Sequence, residues 1–229
     1  MRSAVIVIGG SPPPPAVLGA LPVPRFVIAA DSGYDHAVGL GFEVDLLVGD
    51  LDSISPAGLA AAEASATPIE RHPTDKDATD TELALDAAME RGFDHLVVLC
   101  GGGDRVDHLL ASLFAIAADR YRSCRVVLWW GDTELTVVHG GGSTTVTPGA
   151  GGVFSVLPVH GPAAGVDIVG ATYPLADAAI AAGSSIGVSN LAEPGAPVTV
   201  RLRAGALLVI RPHAVDPLVS APTSPKDRP

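Results

Sequence analysis

Two aspartates separated by one residue follow a short apolar segment. Asp50 and Asp52 come directly after Asp45–Val48, which has the pattern of a buried strand. In an extended segment this spacing puts both carboxylates on one side. Carboxylates held close together repel each other unless a cation lies between them, and hard oxygen ligands of this kind suit Mg²⁺. The pair therefore predicts a magnesium site.

More acidic residues lie at neighbouring points of the sequence. Asp31 follows the apolar run Phe26–Ala30, and the acidic stretch Asp75–Asp80 precedes a helix pattern. Together with Asp31, Asp75 and Asp77, the pair Asp50 and Asp52 could form a dense acidic cluster, and we predict that Asp50, Asp52 and Asp77 act as a functional set. The alternative for any single aspartate is a turn or helix-cap role, since Asp is common in turns and Asp80 could act on a helix dipole.

Three consecutive glycines, Gly101–Gly103, follow the apolar run His95–Cys100 and precede a helix pattern. Backbone N–H groups and the positive end of a helix could hold phosphate there, and the guanidinium of Arg105 adds a fork of donors. The sequence has neither a Walker A loop nor GxGxxG, which disfavours P-loop and dinucleotide-binding folds. His108 is a candidate ligand or base, although a structural hydrogen bond explains it equally well.

The segments that carry these residues alternate between strand and helix patterns up to about residue 132. Strands are predicted at Ala4–Ile8, Phe26–Ala30, Asp45–Val48, His95–Cys100 and Arg125–Trp130. The N-cap pair Ser55-Pro56 predicts a helix over Ala57–Ala66, and a capping box at Thr79–Glu82 opens another over Leu83–Arg91. This alternation predicts a Rossmann-like, mainly parallel sheet with helices on both faces, which binds ligands at the carboxyl ends of its strands.

The pattern changes in the second part of the chain, where Val, Thr and Gly dominate. Short strands are predicted at Thr136–His139, Thr144–Thr147, Val153–Val159, Val166–Val169, Val198–Leu202 and Leu207–Ile210, and Ala176–Ala182 is ambiguous. We predict an α/β domain over residues 1–132 and an all-β domain, a sandwich or small barrel, over residues 133–212. Residues 213–229 are rich in Pro, Ser and charge and are predicted to be a disordered tail.

The amino-acid composition limits the kinds of molecule that the protein is expected to bind. The formal net charge of -11 disfavours nucleic acid but leaves room for a nucleotide, because a divalent cation can bridge carboxylates to a polyphosphate. No run of about 18 apolar residues occurs, so we expect no membrane span and a cytoplasmic protein. The two cysteines, Cys100 and Cys124, show no zinc-site spacing and are expected to pack as small apolar residues.

Taken in order, these motifs resemble the thiamin pyrophosphokinase family. The matching segments are Asp31-Ser32-Gly33, Gly49–Ser53, Lys76–Glu82, Arg105–His108, Tyr173-Pro174-Leu175, Gly183–Asn190 and Gly205–Ile210. The resemblance covers roughly residues 3–212. It departs from the family pattern at Asp104, which intervenes before Arg105, at Ser112, where an asparagine is common, and at Leu51, where phenylalanine is frequent.

The resemblance implies an α/β domain followed by a β-sandwich, in a homodimer whose active sites lie between subunits. The implied reaction transfers a diphosphate from ATP to the hydroxyl of thiamin, giving thiamin diphosphate and AMP. Asp50, Asp52, Asp77 and Arg105 would carry the catalysis, with Mg²⁺ on the three aspartates. The ATP-binding residues would be Asp31, Asp75, Lys76, Thr79, Asp80, Gly102, Gly103, Arg105, Asp107 and His108.

Thiamin would bind in the β-domain through Tyr173, Ser189 and Asn190. A tyrosine face can stack on the aminopyrimidine and attract the thiazolium, and Ser and Asn can satisfy polar ring atoms. The alternative is that Tyr173 is a core residue and Ser189-Asn190 a turn. Two other functions stay open, a diphosphotransferase acting on a hydroxymethyl pterin and a non-catalytic nucleotide-binding regulator, although the intact acidic cluster disfavours the regulator.

Overall fold

A computed structural model describes residues 1–23, 25–103, 105–148 and 152–215 of the 229-residue chain. Asp104 and the predicted tail from residue 216 onward lie outside the described residues, whereas 213–215 form a turn. The chain divides into two compact units, one ending at Gly131 and the other beginning at Asp132. Within the described ranges, no helix is long and apolar enough to cross a membrane.

Strands and helices alternate in the first unit. They are β1 (Ser3–Val7), β2 (Phe26–Ala30), α1 (Gly33–Gly39), β3 (Leu46–Gly49), α2 (Pro56–Ala64), β4 (Ile69–Arg71), α3 (Asp80–Glu90), β5 (His95–Cys100), α4 (Val106–Ile116) and β6 (Arg125–Trp130). The strands pair in parallel in the order β6-β5-β1-β2-β3-β4. The prediction of a mainly parallel sheet with flanking helices is therefore confirmed. The three-residue strand β4 has no counterpart among the predicted strands.

Apolar strand residues and polar helix caps explain these elements. Ile6, Ile28 and Val98 sit in adjacent strands and are fully buried, as expected for a sheet covered on both faces. Ser55 caps α2 by accepting from Gly58 N at 2.9 Å. At the start of α3, Thr79 and Glu82 form the predicted capping box.

The order of the strands fixes where a ligand can bind. From β1 the chain proceeds outward to β2, β3 and β4, whereas β5 and β6 lie on the other side of β1. The direction in which successive strands are added to the sheet thus reverses between the parallel strands β1 and β5. The carboxyl ends of these two strands flank a crevice. Open parallel sheets bind ligands at such a switch point.

The second unit is built from antiparallel strands. They are β7 (Thr133–His139), β8 (Ser143–Val146), β9 (Val153–Val169), β10 (Leu175–Ile180), β11 (Asn190–Leu191) and β12 (Val198–Arg211). They pair in the order β10-β9-β12-β7, with β8 also on β12 and β11 also on β9. Side chains around Phe154 and Val166 form one apolar core, and the predicted β-sandwich is confirmed.

Two details of the strand predictions in this unit were wrong. Val153–Val159 and Val166–Val169 belong to a single strand, β9, and Val198–Leu202 and Leu207–Ile210 are both parts of β12. The pairing of these long strands shifts register between Ala204 and Ala206, so a bulge absorbs the polar and glycine residues that resemble turns. The ambiguous segment Ala176–Ala182 largely coincides with β10.

Candidate nucleotide and metal site

A cavity of about 490 Å³ opens at the carboxyl ends of the strands of the first unit. This volume is within the range of small-molecule sites. Its walls are formed by Ile8, Gly9, Gly10, Ala30, Asp31, Ser32, Asp52, Ser53, Thr79, Asp80, Thr81, Cys100, Gly102, Gly103, Arg105, His108, Ala111, Ser112 and Trp130. The predicted residues Asp31, Asp52, Thr79, Asp80, Gly102, Gly103, Arg105 and His108 thus come together around one space.

Asp31 orders the loop that carries the aspartate pair. It is buried and sits at a left-handed backbone position with φ 49°. Its carboxylate accepts a hydrogen bond from Ser53 Oγ at 2.6 Å and another from Ile54 N at 3.1 Å. Leu51, between the two aspartates, also has a positive φ, of 66°. Strained backbone of this kind persists where the surroundings fix it and is frequent at functional sites.

Three carboxylates form a group that could hold a metal ion. One oxygen from each of Asp31, Asp50 and Asp52 lies within 4.8 Å of the others. The negative charge of Asp50 raises the pKa of Asp52 above its ordinary value, as expected for clustered acids without a cation between them. This all-oxygen set fits a hard divalent cation. Asp77 is exposed and outside this group, so its role as a metal ligand stays a prediction.

Lys76 supplies a positive charge beside the cluster. Its Nζ lies 2.9 Å from Asp50 Oδ2 and 2.9 Å from Asp80 Oδ1. The hydrogen bond from Lys76 lowers the pKa of Asp50. Burial alone would lower the pKa of Lys76, but its bonds to Asp50 and Asp80 outweigh burial and raise it. Lys76 therefore stays charged and links the loop after β3 to the start of α3. Asp75, next to it, is exposed.

Gly49, the last residue of β3, lets the acidic side chains approach the sheet closely. A Cβ atom on Gly49 would lie 3.0 Å from Asp80 Oδ1 and 3.3 Å from Asp31 Cβ, and the backbone has φ 143°. A side chain here would both strain the backbone and displace the carboxylates. Glycine at this position allows Asp31 and Asp80 to flank the end of β3.

The glycine turn after β5 is bonded to the turn after β1. Ser11 N donates to Gly102 O at 2.8 Å, and Gly101 N donates to Ser11 O at 2.9 Å. The Cys100 thiol donates to Gly9 O at 3.2 Å and accepts from Gly102 N at 3.4 Å. These bonds hold two glycine-containing turns together at the switch point of the sheet.

Arg105 stands at the N-terminus of α4 and lines the cavity. Its guanidinium makes two hydrogen bonds to the Asp107 carboxylate, at 2.9 and 2.6 Å. The bonds from Arg105 hold the pKa of Asp107 well below its ordinary range. Asp107 itself does not line the cavity, so the structure gives it a contact with Arg105 rather than a place on the cavity wall. The effect of the preceding Asp104 lies outside the described residues.

The three residues predicted to bind thiamin lie together in the second unit. Asn190 Oδ1 accepts from Tyr173 N at 3.1 Å, and Asn190 Nδ2 donates to Tyr173 O at 2.8 Å. Ser189 has φ 57° and its N–H donates to Ser155 Oγ at 3.0 Å. Asn190 is buried, whereas Tyr173 is 64% exposed. Tyr173 is thus not a core residue, and the amide of Asn190 holds the backbone that presents it.

Several wall residues had not been predicted. The sequence predicts Ser53 only as part of the Gly49–Ser53 motif, Cys100 only as a small apolar residue, and Trp130 only as the end of a strand. A usable signal existed for Trp130, because it ends β6 and the carboxyl ends of parallel strands share one edge. Which strands are neighbours, however, depends on the pairing order.

The chain shares its fold with solved thiamin pyrophosphokinases. The crystal structure of the Bacillus subtilis enzyme is 23% identical and covers 92% of this chain and 99% of its own, with a TM-score of 0.79. The Geobacillus thermodenitrificans enzyme is 24% identical, with coverages of 93% and 97% and a TM-score of 0.77. The Candida albicans enzyme is only 13% identical, yet it covers 91% and 89% with a TM-score of 0.74.

Sequence models of protein families agree with this fold. Residues 23–128 match the thiamin pyrophosphokinase catalytic domain, and residues 143–207 match the vitamin B1 binding domain of thiamin pyrophosphokinase. No curated protein sequence matches the chain. The two matched domains fall in the two compact units and occur in chain order. The chain therefore belongs to the thiamin pyrophosphokinase family of kinase-type transferases.

Proposed function

We propose that this protein transfers a diphosphate group from ATP to the hydroxyl of thiamin and releases AMP. The family match supports thiamin diphosphorylation. The observation that carries the choice of donor is the cavity of the first unit, which combines carboxylates suited to a metal with a glycine turn and Arg105 suited to phosphates. Both parts are needed for a nucleoside triphosphate that carries a divalent cation.

In the proposed reaction, the thiamin hydroxyl oxygen forms a bond to the β-phosphorus. The bond between that phosphorus and the oxygen bridging to the α-phosphorus breaks, and the bridging oxygen leaves with AMP. The hydroxyl proton passes to a carboxylate of the cavity. Arg105 and the backbone N–H groups of Gly102 and Gly103 orient the phosphates and balance their charge. Mg²⁺ bound by Asp50 and Asp52, with Asp31 or Asp77, would neutralise phosphate charge.

For thiamin, we propose binding by the second unit with Tyr173 as the contact surface. Its exposed ring can stack on the aminopyrimidine and attract the thiazolium, at roughly 0.5–2 kcal/mol. Asn190 acts by fixing the Tyr173 backbone, since both polar ends of its amide are engaged there. We further propose a homodimer in which the thiamin-binding residues of one subunit complete the nucleotide site of the other, as the family resemblance implies.

An activity assay tests the proposal. The protein is incubated with thiamin, ATP and Mg²⁺, and thiamin diphosphate and AMP are quantified by chromatography. Equal amounts of both products are expected, with none when the divalent metal is removed by a chelator. Formation of ADP, or of thiamin monophosphate, would contradict diphosphate transfer. Product formed from a hydroxymethyl pterin but not from thiamin would contradict the choice of acceptor.

A further inference from the structure

The two ends of the cavity in the first unit differ in chemistry. At one end, after β2 and β3, lie the carboxylates of Asp31 and Asp52. At the other end, on the last residue of β6, lies the indole of Trp130. The strand order places β6 four strand positions from β3, which is about 19 Å at about 4.8 Å per strand. Between these ends lie the glycine turns and Arg105.

Trp130 provides an indole ring on the wall of this cavity. It is partly exposed, whereas its neighbour Trp129 is only 3% exposed, because successive strand residues point to opposite faces. A Cβ atom on Gly102 would lie 3.4 Å from Trp130 Nε1 and 3.9 Å from Cδ1 and Cε2. The indole therefore packs beside the glycine turn and is partly exposed there.

We propose that Trp130 binds the base of the donor nucleotide by stacking. The inference rests on the proposed function and adds an orientation to it. The base lies at the β6 end, and the triphosphate runs past Gly102, Gly103 and Arg105 toward Asp50 and Asp52. A nucleoside triphosphate has the matching asymmetry, with a flat uncharged base at one end and its charge at the other. Thiamin also has a flat ring and a cation that an indole can attract, but it carries no phosphate for the glycine turn and Arg105 beside Trp130.

Stacking on an indole has a recognisable consequence for specificity. Every base offers a π-face, so stacking by itself discriminates weakly between bases. Adenosine and guanosine nucleotides should therefore bind with similar affinity unless other groups contact the base edge. Loss of the indole should raise the nucleotide Kd by about ten-fold, within the range measured for base–aromatic stacking.

Intrinsic fluorescence gives a direct readout, because the sequence contains only two tryptophans. AMP is titrated without metal or thiamin into the wild-type protein and into Trp130→Phe, in which only the buried Trp129 emits. Quenching by AMP is expected in the wild-type protein and should be largely absent in Trp130→Phe. Quenching of Trp130 by thiamin but not by AMP would overturn the proposal in favour of a thiamin-stacking role.

Calorimetry with AMP and with inorganic triphosphate plus Mg²⁺ separates base binding from phosphate binding. Trp130→Ala should weaken AMP binding about ten-fold and leave triphosphate binding near the wild-type value, and Trp130→Phe should retain most AMP affinity. In the enzyme assay Trp130→Ala should raise the KM for ATP more than it lowers kcat. Unchanged AMP affinity in Trp130→Ala, or equal loss of AMP and triphosphate binding, would overturn the inference.

The outcomes for the two proposals are distinguishable. If AMP binds through Trp130 but the wild-type protein makes no thiamin diphosphate from ATP, the proposed reaction is wrong and the base site stands. If thiamin diphosphate forms and Trp130→Ala binds AMP normally, the reaction stands and the base site is wrong.

Discussion

At the scale of single residues, the two central aspartates have different electrostatic surroundings. Lys76 donates a hydrogen bond to the Asp50 carboxylate, which lowers the pKa of Asp50 and keeps it ionised. Asp52 instead faces the negative charge of Asp50, which raises the pKa of Asp52. Asp52 is also the more exposed of the two. A cation arriving at the cluster therefore relieves repulsion mainly at Asp52, so Asp52 is the more direct test of metal binding.

Replacing Asp52 with Asn is expected to lower kcat at least about 100-fold at a fixed Mg²⁺ concentration, because the metal loses a charged ligand. The change removes charge repulsion, so thermal stability should be unchanged or slightly increased. Steady-state kinetics with a Mg²⁺ titration and a thermal melt measure both. Glu63→Gln, an exposed acid on α2, is the matched control. Wild-type kinetics in Asp52→Asn would exclude it as a ligand.

Arg105 provides a second test at this scale. Its guanidinium donates two parallel hydrogen bonds to the Asp107 carboxylate, and the same two-bond geometry suits phosphate oxygens. Arg105→Ala should raise the KM for ATP about ten-fold or more, and Arg105→Lys should recover only part of this loss, because lysine lacks the planar fork. Initial rates of the wild-type protein and both variants at varied ATP concentration give the KM values that test this. Full recovery by lysine would show that charge alone is needed.

At the scale of elements, the capping box of α3 supports the segment that carries Lys76 and Asp80. Burial alone would raise the pKa of Glu82, but hydrogen bonds from Thr79 and the ion pair with Arg120 leave it below its ordinary value of 4.5. A depressed pKa means that the ionised form stabilises the folded state. This contribution is present above about pH 4.5 and is lost as the pH falls through the folded-state pKa.

Glu82→Gln is therefore expected to destabilise the first unit by about 0.5–1.5 kcal/mol at pH 7, the range for helix caps and charged hydrogen bonds. The difference from the wild-type protein should shrink as the pH falls below about 4.5. Thermal melts of both proteins from pH 3 to pH 8 test this. The neighbouring acid Glu90, at the end of the same helix, serves as the control as Glu90→Gln. A difference independent of pH would show that shape, not charge, is responsible.

Elements with strong local signals were predicted well, and elements defined by pairing were not. Ser55 and Thr79 predict where their helices begin, because an N-cap is a hydrogen bond between residues close in sequence. The strand β4 is three residues long, with partly exposed ends, and exists because it pairs with β3. The continuity of β9 likewise depends on its long pairing with β12, which no single segment reveals.

The same limit applies to the site. The spacing of Asp50 and Asp52 after a strand predicts that both carboxylates lie on the same side of the segment. In the structure the two carboxylates are close enough to bind one ion. The place of Trp130 on the wall depends on strand order, and the engagement of Asn190 with the Tyr173 backbone depends on a contact between turns. Local chemistry is readable from sequence, whereas neighbours across the fold are not.

At the scale of the whole molecule, the proposed division of labour between subunits can be tested by mixing. Asp50→Ala should abolish the nucleotide and metal site, and Tyr173→Ala should weaken thiamin binding. Because Tyr173 is 64% exposed, its replacement should leave the fold intact, unlike that of the buried Asn190. If sites are shared, an equal mixture that exchanges subunits should regain activity. Half of the randomly formed dimers contain one chain of each variant, and each of these has one intact site of two. The mixture should therefore reach up to about one quarter of the wild-type activity.

Exchange must be proven independently, for example by native mass spectrometry of differently tagged chains. Each variant mixed with itself is the control. Absence of any recovery after proven exchange would place both half-sites in one chain. A protein that is monomeric at assay concentration yet fully active would contradict the homodimer as well.

The lysine between two acids has a consequence for the order of events in turnover. Lys76 is tethered beside Asp50 and Asp80, so a bare Mg²⁺ ion must compete with a counterion that never diffuses away. An ion that arrives already chelated by a triphosphate brings anionic oxygens to which the lysine can transfer its bonds, and this lowers the cost of displacing it. For the proposed reaction, tethering would make free metal a poor competitor for the site and the metal–nucleotide complex the entering species, so metal and donor would enter and leave together.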